Sequence, residues 1–253
     1  QIAAAFNKVR WQVFTSITLG YALFYVLRLS FSVIKKPLMA AGVLDAQQIG
    51  VMGSVFFATY GIGKFTNSFL ADRMNNKRFF AMGLFMSSII SVSMGFVNSY
   101  VPLVVLWGLN GWFQSYGAGP CIVSLNHWFS NRERGTFYGV WFTSHNLGAA
   151  FTYVATAAIV GAYSWQMGFI MPGIVCLLGS FIIYFFMSDR PETHGLPNVA
   201  DFKNDHAAIV EKDKSVASLQ WEVVKRPAVW ILGMSSLFCY IARYAIESWG
   251  IIY

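Results

Sequence analysis

Long apolar runs broken by short polar clusters organise this chain. Residues 79–131 contain no Asp, Glu, Lys or Arg, and neither do residues 135–188. A membrane-crossing helix needs about twenty apolar residues at 1.5 Å rise per residue, so each stretch holds two helices and a turn. The turns fall at VNSYVP (Val97–Pro102) and GAYSWQ (Gly161–Gln166), where small and polar residues interrupt the run. This predicts spans over residues 79–97, 102–125, 136–160 and 167–187. Two more precede them, over 11–34 and 48–71, and a seventh begins near Ala228 and is still apolar at Tyr253. Barrel strands would alternate apolar and polar positions over about ten residues, and these runs do not. The expected fold is an all-α membrane bundle.

Composition agrees: 56% of residues are hydrophobic and 11% charged, too few charges to cover a soluble globule of this size. Basic residues collect in alternate loops, with Lys8 and Arg10 before the first span, Arg73, Lys77 and Arg78 after the second, and Arg132 and Arg134 after the fourth. The positive-inside rule then puts the N-terminus in the cytoplasm of a multi-pass membrane protein. The one sizeable polar stretch, beginning DRPETHGLP, separates two apolar regions. We therefore expect a six-helix bundle over 1–188, a cytoplasmic linker over 189–227 and the first helix of a second bundle over 228–253. Cys121, Cys176 and Cys239 sit in apolar runs and read as small buried residues. His127, His194 and His206 are scattered with no metal-ligand spacing, and no loop pairs a nucleophile with a base. Neither an enzyme nor a cofactor is expected.

Within the predicted spans stand four formally charged residues, Arg28, Lys64, Arg243 and Glu247. Each costs several kcal/mol at the bilayer centre, so such residues face a protein interior or a wet cavity. Glu247 is one turn beyond Arg243 and can pair with it. Three cations against one carboxylate still leave a positive surplus, which predicts an anionic ligand. Arg28 and Arg243 both end a Tyr-x-x-Arg motif, YVLR from Tyr25 and YIAR from Tyr240. Both lie about 20–25 Å from the cytoplasmic end of their spans, so in a two-fold arrangement of halves they would be counterparts. Two guanidinium forks suit a phosphate, and each Tyr shares its Arg's helix face. Gln114, Asn126, His145 and Asn146 are further polar groups in spans. The glycines at 111, 117, 119, 148 and 161 are expected to permit close helix packing.

The segments GYALFYVLRLSF, YGIGKF, LADRMNNKRF, GWFQSYGAGPC, HWFSNRERGTFYGVW, SHNLGAA, DRPETHGLP and YIARYAIESW, in this order, resemble the organophosphate:phosphate antiporters of the major facilitator superfamily. The resemblance implies exchange of a sugar phosphate, foremost a hexose 6-phosphate, for inorganic phosphate. It implies that Arg28 and Arg243 clamp the phosphate and that Lys64 and His145 contact substrate or tune the site. Tyr21, Tyr25 and Tyr240 would line the site, while Asp72, Arg73, Arg132 and Arg134 would belong to the cytoplasmic gate. Members of the family have twelve spans, so the chain is expected to be a fragment. Leu29 stands where many members carry Lys, and Ser68 where the loop pattern has Gly. A site poorer by one cation leaves open glycerol 3-phosphate as substrate, or a sensor of external sugar phosphate that partners a membrane kinase.

Overall fold

The computed structural model describes residues 2–205 and 216–249, and every regular element among them is helical. The chain divides into two compact units, Gln1–Ala207 and Ala208–Tyr253. The first contains α1 (Ile2–Ala40), α2 (Ala46–Ala71), α3 (Asn76–Met94), α4 (Tyr100–Gln114), α5 (Ala118–Trp128), α6 (Asn131–Ala162), α7 (Trp165–Phe186) and the short α8 (Val199–Lys203).

Local chemistry sets the helix starts. Asp45 opens α2 with a reciprocal cap, in which the Gln48 amide donates to Asp45 Oδ1 at 2.7 Å and Gln48 Oε1 accepts from the Asp45 amide at 3.0 Å. Ser130 and Glu133 form the same box at α6, and Asn75 accepts from the Arg78 amide to start α3.

The span expected over 102–125 is not one helix. It breaks between Gln114 and Ala118, where the amides of Ser115, Tyr116 and Gly117 each bond a carbonyl three residues back. That tightening precedes Pro120, which has no amide to continue the regular ladder. Tyr116, at the break, stacks on Phe79 of α3 with ring centres 4.2 Å apart.

Within this unit α1 packs against α6 and α7, α2 against α4, and α3 against both α4 and α7. Gly148 and Gly111 mark the tightest approaches to a neighbouring helix's backbone, since a Cβ there would come within 2.8 Å of the Ala22 carbonyl oxygen and 2.6 Å of the Phe56 carbonyl oxygen. Gly161 has open space around it, so the packing role expected there does not hold. The outer side of α7 leaves Ile174, Val175, Leu178, Phe181, Ile182 and Phe185 exposed at helical spacing, the surface a bilayer would cover. Cys121 and Cys176 are buried as expected, but Cys239 is exposed on its helix. Lys35 is 5% exposed because α1 continues to Ala40 and carries it along the bundle.

The core forms two main apolar clusters. One gathers Phe6, Phe14, Tyr21, Tyr25, Trp128 and Trp141, and the other gathers Phe31, Ile34, Phe56, Tyr60, Trp107 and Phe169. Residues 189–205, expected as part of a linker, are docked on this unit. Phe202 stacks on Phe6 at 4.2 Å, and Trp128 Nε1 donates to the Asp189 carbonyl at 3.1 Å. The apolar Leu196, Val199 and Phe202 punctuating that polar stretch supply the contact.

The second unit contains α9 (Val216–Lys225) and α10 (Pro227–Trp249). Its helix α10 covers the seventh predicted span as far as Trp249, and the remaining positions of that span lie outside the described residues. Trp230 Nε1 donates to the Val224 carbonyl at 2.7 Å and so fixes the turn between the two helices.

Candidate functional site

Arg28 lies where the two apolar clusters meet. Its guanidinium carbon is 5.0 Å from the ring centre of Tyr25, which belongs to one cluster, and 4.3 and 5.7 Å from those of Tyr60 and Phe56, which belong to the other. The side chain is 7% exposed. Aromatic faces attract a cation through their quadrupole, so this cage offsets part of the cost of burying the charge.

Lys64, one turn after Tyr60 on α2, brings its ammonium to 5.7 Å from the same ring. Tyr60 therefore stands between two cations. His145 on α6 is 1% exposed, with its ring 5.2 Å from Tyr25 and 4.5 Å from Phe142. Tyr21 continues the aromatic wall, 5.4 Å from Tyr25 and 4.7 Å from Trp141. The structure thus brings Arg28, Lys64, His145, Tyr21 and Tyr25 into one connected group.

Sequence reasoning missed Tyr60 and Phe56. The signal was present as Phe56, Tyr60 and Lys64 at successive four-residue steps of one helix face. Leu29 is buried in the apolar cluster beside Arg28, so the position that resembles a lysine site is a packing position here.

The helices supply no surplus of negative charge. Helices α1 to α5 and α7 contain no Asp or Glu, and the one carboxylate of α6, Glu133, accepts from Arg10 Nη2 at 2.9 Å. Arg10 also lies 4.4 Å from the ring of Phe129, which completes an ion pair in an aromatic setting.

Gln114 is engaged elsewhere. Its Nε2 donates to Ser87 Oγ at 2.9 Å, and Ser87 donates in turn to Asn110, tying α4 to α3. Of the residues expected at the gate, Asp72 and Arg73 follow α2 in an exposed turn. The Arg132 amide donates to Asp205 at 3.4 Å. Arg134 donates to the carbonyls of Asn126 at 3.3 Å and Phe129 at 3.2 Å, and so satisfies the carbonyl end of α5. Burial draws the Arg134 pKa down and the neighbouring Asp205 opposes that, but the guanidinium stays charged. In the second unit, Tyr240 is 37% exposed and Arg243 is partly buried on α10. The side chain of Glu247, expected as a partner of Arg243, lies outside the described residues.

Comparison with known proteins adds an independent line. The sequence profile of the Major Facilitator Superfamily matches residues 17–253. A probable hexose phosphate transport protein of Chlamydia trachomatis is 35% identical over 96% of this chain and 57% of its own length. The membrane sensor protein UhpC of Escherichia coli is 33% identical over 100% of this chain and 59% of its own length. A glycerol-3-phosphate transporter of Bacillus subtilis is 32% identical over 99% of this chain and 58% of its own length. The chain thus spans less than three-fifths of the relatives it matches. Among solved structures, a bacterial homologue of the lysosomal transporter Spinster in an inward-facing, occupied conformation superposes with a TM-score of 0.72, at 17% identity over 95% of this chain and 53% of the other. That likeness shows the fold.

Proposed function

Because this chain belongs to the Major Facilitator Superfamily, we propose that the whole protein binds an organic phosphate at mid-membrane and exchanges it for inorganic phosphate by alternating access. The relatives lie in the organophosphate branch of the superfamily. Hexose 6-phosphate is the favoured substrate. The bundle would sit in the bacterial inner membrane with its N-terminus and basic loops in the cytoplasm.

One observation carries the reading: a buried arginine caged by Tyr25, Phe56 and Tyr60, sharing Tyr60 with Lys64, among helices α1 to α7, whose one carboxylate, Glu133, pairs with Arg10. Two cations drawn to one buried aromatic ring form a positive site that attracts an anion. A phosphate dianion would accept from the Arg28 fork and be drawn by Lys64, with His145 and the Tyr25 hydroxyl able to donate to its remaining oxygens. Arg243 would supply the second fork from the other half, with Tyr240 beside it, by the repeat logic of the two Tyr-x-x-Arg motifs. Neutralising the cations would let the halves close and reopen on the other side. The empty, repulsive interface would close poorly, which couples entry of one anion to exit of another. The test is uptake of labelled glucose 6-phosphate into phosphate-loaded liposomes containing the full-length protein. Uptake that requires internal phosphate and is abolished in Arg28→Lys and Arg243→Lys supports exchange; equal net efflux without external anion rejects it.

A sensor of external sugar phosphate is the second reading, favoured by Leu29 and by the similarity to UhpC. Saturable binding that needs both arginines, with no uptake, would select it; the partner would then be a membrane kinase.

A further inference from the structure

Outside this site, the basic end of the bundle carries two adjoining cavities of opposite character. The first, about 380 Å³, is polar and lies between the start of α3 and the segment after α7, lined by Asn75, Lys77, Arg78, Tyr184, Asp189 and His194. The second, about 500 Å³, is an apolar groove between α1 and α7, lined by Trp11, Thr15, Leu19, Leu23, Gly179 and Ile182. Gln12 and Phe186 line both, and Gln12 Nε2 donates to the Phe186 carbonyl at 2.6 Å at their junction.

We propose that this pair of cavities binds one anionic phospholipid, with its phosphate beside Lys77 and Arg78 and an acyl chain along the α1–α7 groove. The charge balance argues for an anion. The one carboxylate lining the polar cavity, Asp189, is already committed, with Oδ1 accepting from the Asn76 amide at 2.8 Å and Oδ2 lying 3.8 Å from Arg190 Nε. Arg78 is exposed, and the Lys77 ammonium is held 5.2 Å from the ring of Tyr184. Basic pockets of this kind at helix ends suit lipid phosphates. The groove argues for a lipid over a soluble phosphate, which would leave the apolar side chains of Leu19, Leu23, Ile182 and Ile183 unused. Gly179 keeps the groove open, since a Cβ there would fall 2.5 Å from the Leu23 side chain. Trp11 and Tyr184, exposed at the junction level, are residue types that favour the headgroup zone.

The test is a titration of full-length protein in detergent with dioleoyl phosphatidylglycerol or dioleoyl phosphatidylcholine, with bound lipid counted by mass spectrometry under non-denaturing conditions. Wild-type protein is expected to hold one phosphatidylglycerol in preference to phosphatidylcholine. Lys77→Gln/Arg78→Gln should lower that preference about fivefold per cation removed, and Lys77→Arg/Arg78→Lys should restore it. Thr15→Trp, which fills the groove from its exposed side, should weaken both lipids. A preference unchanged in the double glutamine variant would overturn the proposal. So would displacement of the lipid by millimolar inorganic phosphate together with full binding to Thr15→Trp, the signature of a soluble-anion cavity. Thermal unfolding of each variant separates lost binding from lost fold.

Discussion

Arg28 of α1 lies with its guanidinium carbon 4.3 Å from the ring centre of Tyr60 of α2, so the buried charge is held by a neighbouring helix as much as by its own. A cation seated on an aromatic face contributes about 0.5–2 kcal/mol, depending on desolvation. Tyr60→Leu is therefore expected to weaken phosphate or sugar phosphate binding between two- and thirtyfold. Tyr60→Phe keeps the ring and should cost less than threefold. Calorimetric titration of the full-length protein distinguishes them; an equal loss in both would assign the effect to the hydroxyl.

Arg28→Met should separate stability from function. Burying a charge costs several kcal/mol, so an apolar side chain of similar volume recovers that cost while giving up the cation–aromatic contacts with Tyr25 and Tyr60. The variant should unfold at an equal or higher temperature without ligand, while added phosphate no longer raises its midpoint. Strong destabilisation of the unliganded protein would mean that the arginine is a structural partner.

Gly148 and Gly161 both lie on α6 but should respond oppositely to alanine. At Gly148 the new Cβ meets the Ala22 carbonyl oxygen at 2.8 Å, so α1 and α6 must separate, at about 1–3 kcal/mol. At Gly161 nothing lies within 4 Å, and better helix propensity should leave stability unchanged or raised by up to about 1 kcal/mol. Thermal unfolding in detergent reads both.

The pair of Arg10 and Glu133 joins α1 to α6 across 123 residues of sequence. Arg10→Met alone leaves a partly buried carboxylate uncompensated and should cost about 1–3 kcal/mol. Adding Glu133→Gln should recover part of that loss, because Gln removes the charge and keeps the cap on the Ser130 amide. A double variant less stable than the single one would contradict this.

The helices were legible because an apolar run bounded by charges has few alternative structures, and the predicted and observed spans agree within a few residues at most ends. Arg28, His145 and Tyr25 were legible as a site because polar groups are costly in such runs. Tyr60 and Phe56 were not, since aromatics are common there and their meaning depends on which face of α2 meets α1. The tie between Arg10 and Glu133 depends on the same inter-helix geometry. The break at Ser115–Gly117 was written in Pro120 but hidden by unbroken hydrophobicity. The docking of residues 189–205 was masked in the opposite way, by charges that surround three apolar anchors.

Helix α1 threads both apolar clusters, giving Phe6 to Leu29 to one and Phe31, Ile34 and Leu38 to the other, with Arg28 near the crossing. At about 58 Å it is long enough to act as a beam. A beam held in both packed blocks couples them mechanically, so a force applied at Arg28, where they meet, is shared by the packing on either side.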